Sequence, residues 1–375
     1  MALSLAERDR RYVEIRKLMS ANEIGCLLVA GRGDHVSRGN IRYITDNGII
    51  CREQYCILPP EGSALTITTQ QTQIAANVEI KEEWVSEFLI TPNDPAAAAK
   101  HVAESLLKYA KGGKVGIVGM QDISVPVYEA VRSHIGERLV DATWIFNQVR
   151  EIKSAEEIES VRKSTAAADK AYSLIRDIAK PGLSDYEVWG EVDRSLAISG
   201  CCYAMNLIDF TGETMNLALP WGEKMKAGST FALELIPAYD GYYTEIPAML
   251  PVSEDYPEKI AKMVEVWKLA NREAQSALKP GSTIADINAA IQGVVKEHGY
   301  YYPWRSGHGV GLDCVEGFNL NDKRQMSFKP GMVFTLHPGV YEPNNPTGPG
   351  FAMGYTYLLT ESGCERLNKF VAVPE

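Results

Sequence analysis

The stretch FALELIPAYDGYYTEIPAML, residues 231–250, decides the fold prediction. Apolar and polar residues alternate on both sides of the Tyr-Asp-Gly sequence at residues 239–241. Because Asp-Gly is a strong turn signal, the stretch predicts a β-hairpin. Side chains alternate between the two faces of a strand, so folding about this turn brings Glu234 and Glu245 opposite each other on one face. Cross-strand neighbours lie about 5 Å apart.

These two carboxylates predict a functional site. The flanking strands are too apolar to form a surface ribbon, so we expect Glu234 and Glu245 to face a partly enclosed space. Two like charges this close are unfavourable unless they share a proton or a cation lies between them. The sequence therefore predicts a positively charged partner for the acid pair, and the identity of that partner is the functional question.

Composition bounds the class of protein. A chain of 375 residues with 45% hydrophobic and 23% charged residues is typical of a soluble protein with two domains. The net charge of −10 and the scattered basic residues argue against a nucleic-acid or membrane surface. No apolar run reaches the length of a membrane span, and charges interrupt the N-terminus where a signal peptide needs an apolar core. We therefore expect a cytoplasmic protein.

Residues 1–152 predict a small α/β domain of mixed strand and helix order. Amphipathic periodicity predicts helices at 3–22, 97–109 and 126–134. Short apolar runs predict strands at 25–30, 41–45, 54–58, 64–68 and 114–119.

Residues 153–375 contain an internal repeat. The segment AKPGLSDYEVWGEVDRSLAISG at 179–200 matches LKPGSTIADINAAIQGVVKEHG at 278–299 in layout. In each segment Lys-Pro-Gly follows a long helix and precedes a capped helix that ends in glycine. We expect two similar αβ halves related by a pseudo-twofold axis, with the active surface on the open face of their sheets.

Two histidines follow the acidic hairpin in sequence. His308 lies in the sequence Ser-Gly-His-Gly-Val-Gly, where the flanking glycines permit close approach of backbone or substrate. His337 ends an apolar strand that begins after Lys-Pro-Gly at 329–331. Imidazoles close to a carboxylate pair could transfer protons or bind a metal ion.

The order of these motifs resembles the creatinase/aminopeptidase P family. The resemblance rests on GHGVGLD at 307–313, KPGMVF at 329–334 and HPGVY at 337–341, following the paired-acid hairpin. LTESG at 359–363 and NIRYIT at 40–45 resemble the last strand and the amino-terminal domain of that family. The resemblance implies an α+β protein, with a creatinase-type domain at 1–152, a pita-bread catalytic domain at 153–375, and a homodimer.

The chain departs from the metal-binding members of that family. Their two metal ions are held by Asp, Asp, His, Glu and Glu, and the matching positions here are Glu234, Glu245, His308, His337 and Gly354. A two-metal centre needs bridging acids on both sides, so we do not expect one. Val315 and Trp221 stand where the resemblance implies two further histidines, which makes an Xaa-Pro peptidase less favoured.

The hairpin resembles the metal-independent creatinase branch more closely than it resembles the metallopeptidases, because that branch shares Gly-Tyr-Tyr-Thr at 241–244. The resemblance predicts a creatinase-like hydrolase of a small amide, amidine or guanidino compound that needs no cofactor. Glu234 and Glu245 would hold a cationic substrate group, His308 would be the general acid/base, and His337 its partner. Creatine itself is not expected, because the branch's catalytic Glu is replaced by Pro247.

Further residues are candidates for substrate binding. Arg52 resembles an arginine that creatinase-like dimers lend across the interface to a substrate carboxylate. Tyr243, Trp221, Trp304 and Glu316 are candidate walls of the pocket. The sequence assigns no role to Asp313 or Cys314.

Three alternatives remain open at this point. Glu234, Glu245, His308 and His337 form an acceptable ligand set for a single divalent ion, which would make the protein a mononuclear metal-dependent hydrolase or peptidase. The protein could also be a non-catalytic ligand-binding member of the fold, or a lyase. The small-molecule substrate is not encoded in any readable motif.

Overall fold

The structure, a computed structural model, describes residues 3–49, 52–68, 84–91, 95–110, 112–302, 305–321, 323, 325–345, 347–371 and 373. The chain divides into two compact units, Met1–Arg150 and Glu151–Glu375, two residues before the boundary that the sequence predicts. Trp304, a candidate pocket residue, lies outside the described residues.

The first unit is built on a six-stranded mixed sheet in the order β4-β3-β2-β1-β5-β6. Its strands are β1 (Ile24–Arg32), β2 (Glu53–Leu58), β3 (Ala64–Thr68), β4 (Val85–Ile90), β5 (Lys114–Val118) and β6 (Leu139–Asp141). The described helices up to residue 151 are α1 (Leu5–Ala21), α2 (Gly39–Thr45), α3 (Pro95–Tyr109), α4 (Val125–Ile135) and α5 (Thr143–Glu151), with a 3-10 turn at Gly136–Arg138.

The prediction of a strand over residues 41–45 is wrong, because these residues form most of helix α2. The Thr45 hydroxyl donates to the Ile41 carbonyl oxygen at 2.8 Å, one helical turn earlier. The helix ends at Asp46, whose φ of 52° lies in the left-handed region. A short apolar run does not distinguish a strand from a buried helical turn by periodicity, and here the local hydrogen bonds decide for the helix.

The second unit surrounds the larger core. Its described helices are α6 (Ala155–Ile178), α7 (Asp185–Ile198), α8 (Glu258–Ala277) and α9 (Ile284–Glu297). Its described strands are β7 (Cys201–Ala204), β8 (Leu207–Asp209), β9 (Thr230–Leu235), β10 (Pro237–Tyr239), β11 (Tyr242–Tyr243), β12 (Ile246–Pro251), β13 (Gly307–Gly309), β14 (Val333–Leu336), β15 (Gly339–Tyr341), β16 (Gly350–Ala352), β17 (Tyr355–Thr360) and β18 (Gly363–Arg366). They form sheets in the orders β11-β10-β7, β12-β9-β8, β13-β14-β17-β18 and β15-β16.

Aromatic side chains fill the core of the second unit. Trp267 of α8 packs edge-on against Phe351, with 5.8 Å between ring centroids, and its indole N–H donates to the Met353 carbonyl oxygen at 2.9 Å. Burying each such side chain contributes roughly 1.5–3 kcal/mol. This packing fixes α8 against the strand pair β15–β16, which lies next to the site described below.

The internal repeat is visible in the hydrogen bonds. Gly182 donates its N–H to the Met225 carbonyl oxygen, and Gly281 donates to the Phe328 carbonyl oxygen, both at 2.9 Å. Both glycines have a φ of 91°, which side-chain-bearing residues rarely adopt. The helix that follows each glycine begins with a capping box. The two Lys-Pro-Gly segments are therefore equivalent in structure as well as in sequence.

The acidic hairpin turns at Asp240 and Gly241, as the sequence predicts. Their φ values of 47° and 80° are both positive, which is the signature of a type I′ turn. The two arms form separate ladders, β10 with β11 near the turn and β9 with β12 further away. Glu234 pairs across the second ladder with Pro247, and Glu245 immediately precedes β12.

Candidate active site

Glu245 lies at the centre of the site, and threonines from the second half of the unit hold its backbone. Its carbonyl oxygen accepts hydrogen bonds from the hydroxyls of Thr335 and Thr356, both at 3.2 Å. Its N–H lies 3.3 Å from the Thr356 hydroxyl oxygen, which is also 2.6 Å from that of Thr244. The hairpin is therefore tied to β14 and β17, so the acids of one half meet the imidazoles of the other.

His308 is completely buried in β13 and pairs with Glu245. Its Nε2 lies 3.0 Å and 2.9 Å from the two carboxyl oxygens, and its Nδ1 lies 3.0 Å from the Gly309 carbonyl oxygen. Because a carbonyl oxygen only accepts, Nδ1 carries a hydrogen. The contact with Glu245 is attractive only when one further proton lies between Nε2 and the carboxyl group.

The two acids act on each other electrostatically, and their pKa values move in opposite directions. Burial and the charge of Glu245 raise the pKa of Glu234 well above its ordinary value. Burial also opposes ionisation of Glu245, but His308, His337 and Arg305 outweigh that effect and lower its pKa. The pair therefore loses its protons in separate steps, Glu245 first. The chain itself relieves the repulsion that led us to expect an external cation.

A cavity of about 410 Å³ opens onto this group. Its polar lining comes from Glu234, Tyr302, Arg305, Asn321 and His337. Its apolar lining comes from Met215, Leu217, Pro247, Tyr341 and Ala352. A ligand in this cavity meets Glu234 and His337 directly, whereas the buried His308 and Glu245 are outside the lining.

His337 faces the cavity as a neutral imidazole. Its Nε2 lies 3.7 Å from a Glu245 carboxyl oxygen, and its ring centroid lies 5.8 Å from that of His308. Burial lowers the pKa of His337 to about 4, against the opposing effect of Glu245. The Nε2 atom is buried and has no hydrogen-bond partner among the described residues. The hydrogen-bonding capacity of this nitrogen is therefore unused within the described residues.

Arg305 is a site residue that the sequence analysis missed. Its guanidinium lowers the pKa of Glu234 and Glu245, so its positive charge acts on the acid pair, and it donates to the Asn319 side-chain oxygen at 3.0 Å. The available signal was a cation three residues before His308. A single arginine beside a glycine-rich segment is too common to be distinguished by sequence.

The donors present do not fit a two-metal centre. A carboxylate would be required at position 354, but a Cβ built on Gly354 would lie 2.4 Å from the Cβ of His337 and 2.7 Å from the Leu336 carbonyl oxygen. The His337 side chain and the adjacent backbone occupy that space. Restoring an acid at this position would therefore displace the imidazole.

A single divalent ion fits the donor set better. One ligand atom from each of Glu245, His308 and His337 lies within 4.8 Å of the others. One carboxylate with two imidazoles is a common ligand set for divalent metals, and the unpartnered Nε2 of His337 is consistent with it. Glu234, which the sequence analysis included in a four-ligand set, lies outside this three-residue group.

Glu316, which the sequence analysis places on the pocket wall, takes part in a buried ion pair that holds a loop. Its carboxylate forms a buried ion pair with Lys153 at 2.9 Å and accepts the N–H of Leu312 at 2.9 Å. It holds the loop that follows His308. Glu316 is outside the set of residues that line the cavity, and a direct role in substrate binding stays a prediction.

The remaining candidates also lie outside the cavity lining. Tyr243 is fully buried in a small cluster with Ile236 and Cys314, where burial raises the pKa of the Cys314 thiol to about 12. Trp221 is 47% exposed, and its backbone N–H donates to the Asp185 carboxylate at 2.9 Å. Arg52, in the first unit, has an exposed side chain. The structure therefore gathers four of the expected residues, Glu234, Glu245, His308 and His337, into one site.

Comparison with known proteins identifies the family. Residues 159–361 match the family described as metallopeptidase family M24. The chain belongs to this family. The site described above lies within the matched region, so its Glu, Glu, His, His and Gly positions are departures within M24 rather than a different fold.

Curated relatives include peptidases. The chain is 30% identical over 232 residues to a protein of Pyrococcus furiosus named Xaa-Pro dipeptidase, covering 60% of this chain and 65% of that protein. It is 28% identical to an uncharacterized peptidase of Staphylococcus saprophyticus, covering 59% of this chain and 64% of the relative. The aligned region thus spans slightly less than two thirds of these relatives.

Solved structures confirm the pita-bread fold. The prolidase from Pyrococcus horikoshii superposes with a TM-score of 0.80 at 22% identity, over 96% of this chain and 100% of that chain. A variant of Escherichia coli aminopeptidase P gives a TM-score of 0.78 at 16% identity, over 100% and 97%. The creatinase/aminopeptidase P resemblance and the α+β fold are confirmed, and M24 membership supports the expected class of hydrolases acting on C–N bonds.

Within the described ranges, none of the helices combines the length and apolarity that a membrane crossing demands.

Proposed function

We propose that the protein hydrolyses a C–N bond of a small amide, amidine or guanidino compound through carboxyl and imidazole groups, without the family's two-metal centre. One observation carries the proposal. The same cavity is lined by Glu234, a carboxyl group whose pKa is raised, and by His337, an imidazole whose pKa is lowered to about 4. Environments that push pKa values apart assign the acid and the base of a reaction.

The assignment gives a balanced reaction. His337 accepts a proton from water as the water oxygen forms a bond to the carbon of the C–N group. Glu234 donates its proton to the nitrogen as the C–N bond breaks. Glu245, 3.7 Å from His337 Nε2, stabilises the positive charge that develops on the ring. The proton on His337 then returns to Glu234, which restores the starting state.

His308 has a different role from the one expected from sequence. Both of its ring nitrogens are engaged, one with Gly309 and one with Glu245, and the side chain is fully buried. We therefore assign His308 the task of holding and polarising Glu245, while Glu234 and His337 contact the substrate. The general acid/base function moves from the buried histidine to the pair that lines the cavity.

Whether Glu234 keeps its proton when a substrate binds depends on the charge of that substrate. A neutral amide leaves that proton in place, where it is needed for the leaving nitrogen. A cationic amidinium or guanidinium bound against Glu234 favours an ionised Glu234 as well as an ionised Glu245, so its binding releases a proton. Calorimetry in two buffers of different ionisation enthalpy counts the released protons and separates the two substrate classes.

A mononuclear metalloenzyme is the second candidate, favoured by the 4.8 Å grouping of Glu245, His308 and His337. A bound divalent ion would supply Lewis-acid activation of water. Because named relatives are Xaa-Pro dipeptidases, dipeptides of that type belong among the tested substrates. The sequence analysis favours Xaa-Pro dipeptides less as substrates, because Val315 and Trp221 replace two histidines, and that preference remains a hypothesis.

The test combines metal analysis with a substrate panel. Purified protein is treated with a chelator, its metal content is measured, and small amides, amidines, guanidino compounds and Xaa-Pro dipeptides are assayed for amine release. We expect turnover at well below one metal ion per chain, and its loss in Glu234→Gln and His337→Gln. Glu365→Gln is the control, since Glu365 pairs with Arg162 on the surface.

The outcomes are distinct. Activity that requires about one divalent ion per chain would replace the proposal with the mononuclear candidate. Reaction in ¹⁸O-labelled water should place one ¹⁸O atom in the carbonyl product, whereas a lyase would incorporate none. Tight ligand binding with no turnover in any metal state would identify a binding protein instead.

A further inference from the structure

The hydroxyl group of Tyr302 contacts three acceptor or amphoteric atoms. Its Oη lies 2.9 Å from the Arg305 carbonyl oxygen, 3.0 Å from the His337 carbonyl oxygen and 3.4 Å from His337 Nδ1. The hydroxyl has one hydrogen, and the two carbonyl oxygens only accept. Since both carbonyls are closer than Nδ1, the hydrogen is donated to a carbonyl, and an Oη lone pair remains for the imidazole.

The surroundings of His337 favour a hydrogen on Nδ1. The Tyr302 Oη atom, 3.4 Å away, is the acceptor that Nδ1 meets. The other nitrogen, Nε2, has no hydrogen-bond partner among the described residues and lies 3.7 Å from Glu245, beyond hydrogen-bonding distance. An imidazole with one ring hydrogen therefore finds a hydrogen-bond acceptor for that hydrogen at Nδ1 and none within hydrogen-bonding distance at Nε2.

We propose that Tyr302 is a positioning residue that holds His337 in the Nδ1–H tautomer, so that Nε2 carries no hydrogen where it lies beside Glu245. The ring nitrogen and the carboxylate then present two acceptors 3.7 Å apart. A group that bridges these two acceptors must donate two hydrogens, as a water molecule or a substrate –NH2 does. The catalytic consequence rests on the proposed function, whereas the tautomer does not.

The packing of Tyr302 shows that its position is built into the fold. A Cβ on Gly339 would lie 2.3 Å from Cε2 of the Tyr302 ring, so this glycine makes room for the ring. On the same strand, Tyr341 stacks on Tyr302 with 6.0 Å between centroids and an interplanar angle of 23°. The described residues include no hydrogen bond between the Tyr341 hydroxyl and His337. Tyr341 is therefore a matched control for loss of a buried hydroxyl.

The tautomer is measured directly by NMR on protein labelled with ¹⁵N-histidine. Two-bond ¹⁵N–¹H spectra distinguish Nδ1–H from Nε2–H, and His337→Gln identifies the His337 signals among the six histidines. We expect Nδ1–H in the wild type, a shift towards Nε2–H in Tyr302→Phe, and no change in Tyr341→Phe. Nε2–H in the wild type, or an unchanged tautomer in Tyr302→Phe, would overturn the proposal.

A second variant keeps the test valid if Tyr302→Phe folds poorly. Gly339→Ala retains the Tyr302 hydroxyl group but displaces the ring that carries it, and we expect the same tautomer shift. If the proposed hydrolysis is observed, Tyr302→Phe should lower kcat about ten-fold with a smaller change in KM, because proton acceptance is impaired more than binding. Failure to find a substrate would leave the spectroscopic result standing, and an altered tautomer with unchanged kcat would refute the catalytic role.

Discussion

Two carboxylate sites in the second unit, Glu316 and the Glu234–Glu245 pair, make opposite uses of the same chemistry. Glu316 is fully compensated, because Lys153 lies 2.9 Å away and the N–H of Leu312 donates to its other oxygen. The Glu234–Glu245 pair is under-compensated, since one acid must keep its proton and the nearby Nε2 of His337 has no partner among the described residues.

The difference separates a structural charge from a reactive one. A buried ion pair with satisfied hydrogen bonds changes its protonation state with difficulty and holds a loop in place. A buried acid pair with displaced pKa values exchanges protons readily and is typical of functional sites. Disrupting the first should therefore affect stability, and disrupting the second should affect activity. The following predictions test that contrast in order of decreasing effect.

Replacing Glu234 by glutamine should have the largest effect, and on activity alone. Glutamine cannot donate the proton that the leaving nitrogen requires, so kcat should fall by roughly 10²–10⁴. Stability at neutral pH should be maintained, because glutamine, like a protonated Glu234, places no second negative charge beside Glu245. Steady-state kinetics and thermal denaturation of the same preparation check both. A variant that retains full kcat would remove Glu234 from the mechanism.

Replacing Lys153 by methionine should mainly destabilise the fold. The side chain is similar in length, but the buried Glu316 is left without its cation, which costs about 3–5 kcal/mol. Urea denaturation measures this loss. Activity per folded molecule should change much less than in the Glu234 variant. If the free energy of unfolding changes by under about 1 kcal/mol, the contrast between the two carboxylate groups does not hold.

His337 should make the fold less stable in mild acid. Its pKa is about 4 in the folded protein and about 6.5 in the unfolded chain. As the pH falls below 6.5, the unfolded chain gains a proton that the folded state does not take up until about pH 4. This group alone should cost about 2 kcal/mol between pH 7 and pH 5. Comparing the wild type with His337→Gln at both pH values isolates the contribution, and equal pH dependence in the two proteins would contradict it.

The smallest effect is expected at the surface. Arg162 and Glu365 form a bidentate pair with two contacts of 2.7 Å, but both side chains are about 40% exposed. Arg162→Ala should therefore cost no more than about 1 kcal/mol and less at high salt, because water and ions screen the pair. Denaturation at low and high salt measures this, and a loss comparable to that of Lys153→Met would show that burial is not the deciding variable.

Much of the fold was predictable because local patterns encode it. Alternation and the Asp-Gly turn predict the hairpin, and the two Lys-Pro-Gly segments predict the repeat that the paired hydrogen bonds of Gly182 and Gly281 display. The strand predicted at residues 41–45 failed because a short apolar run suits either structure. The homodimer, the cytoplasmic location and the role of Arg52 remain predictions.

The sequence by itself determined which groups meet: two acids on a hairpin and two histidines that follow the second repeat segment, with no carboxylate at position 354. Only the tertiary structure decided their roles, because burial and neighbouring charges set the direction in which each pKa moves. It placed Glu234 and His337 on the cavity, with His308 behind Glu245. It also brought Tyr302 and Arg305 to the site, because side chains distant in sequence become neighbours only when the sheets pack.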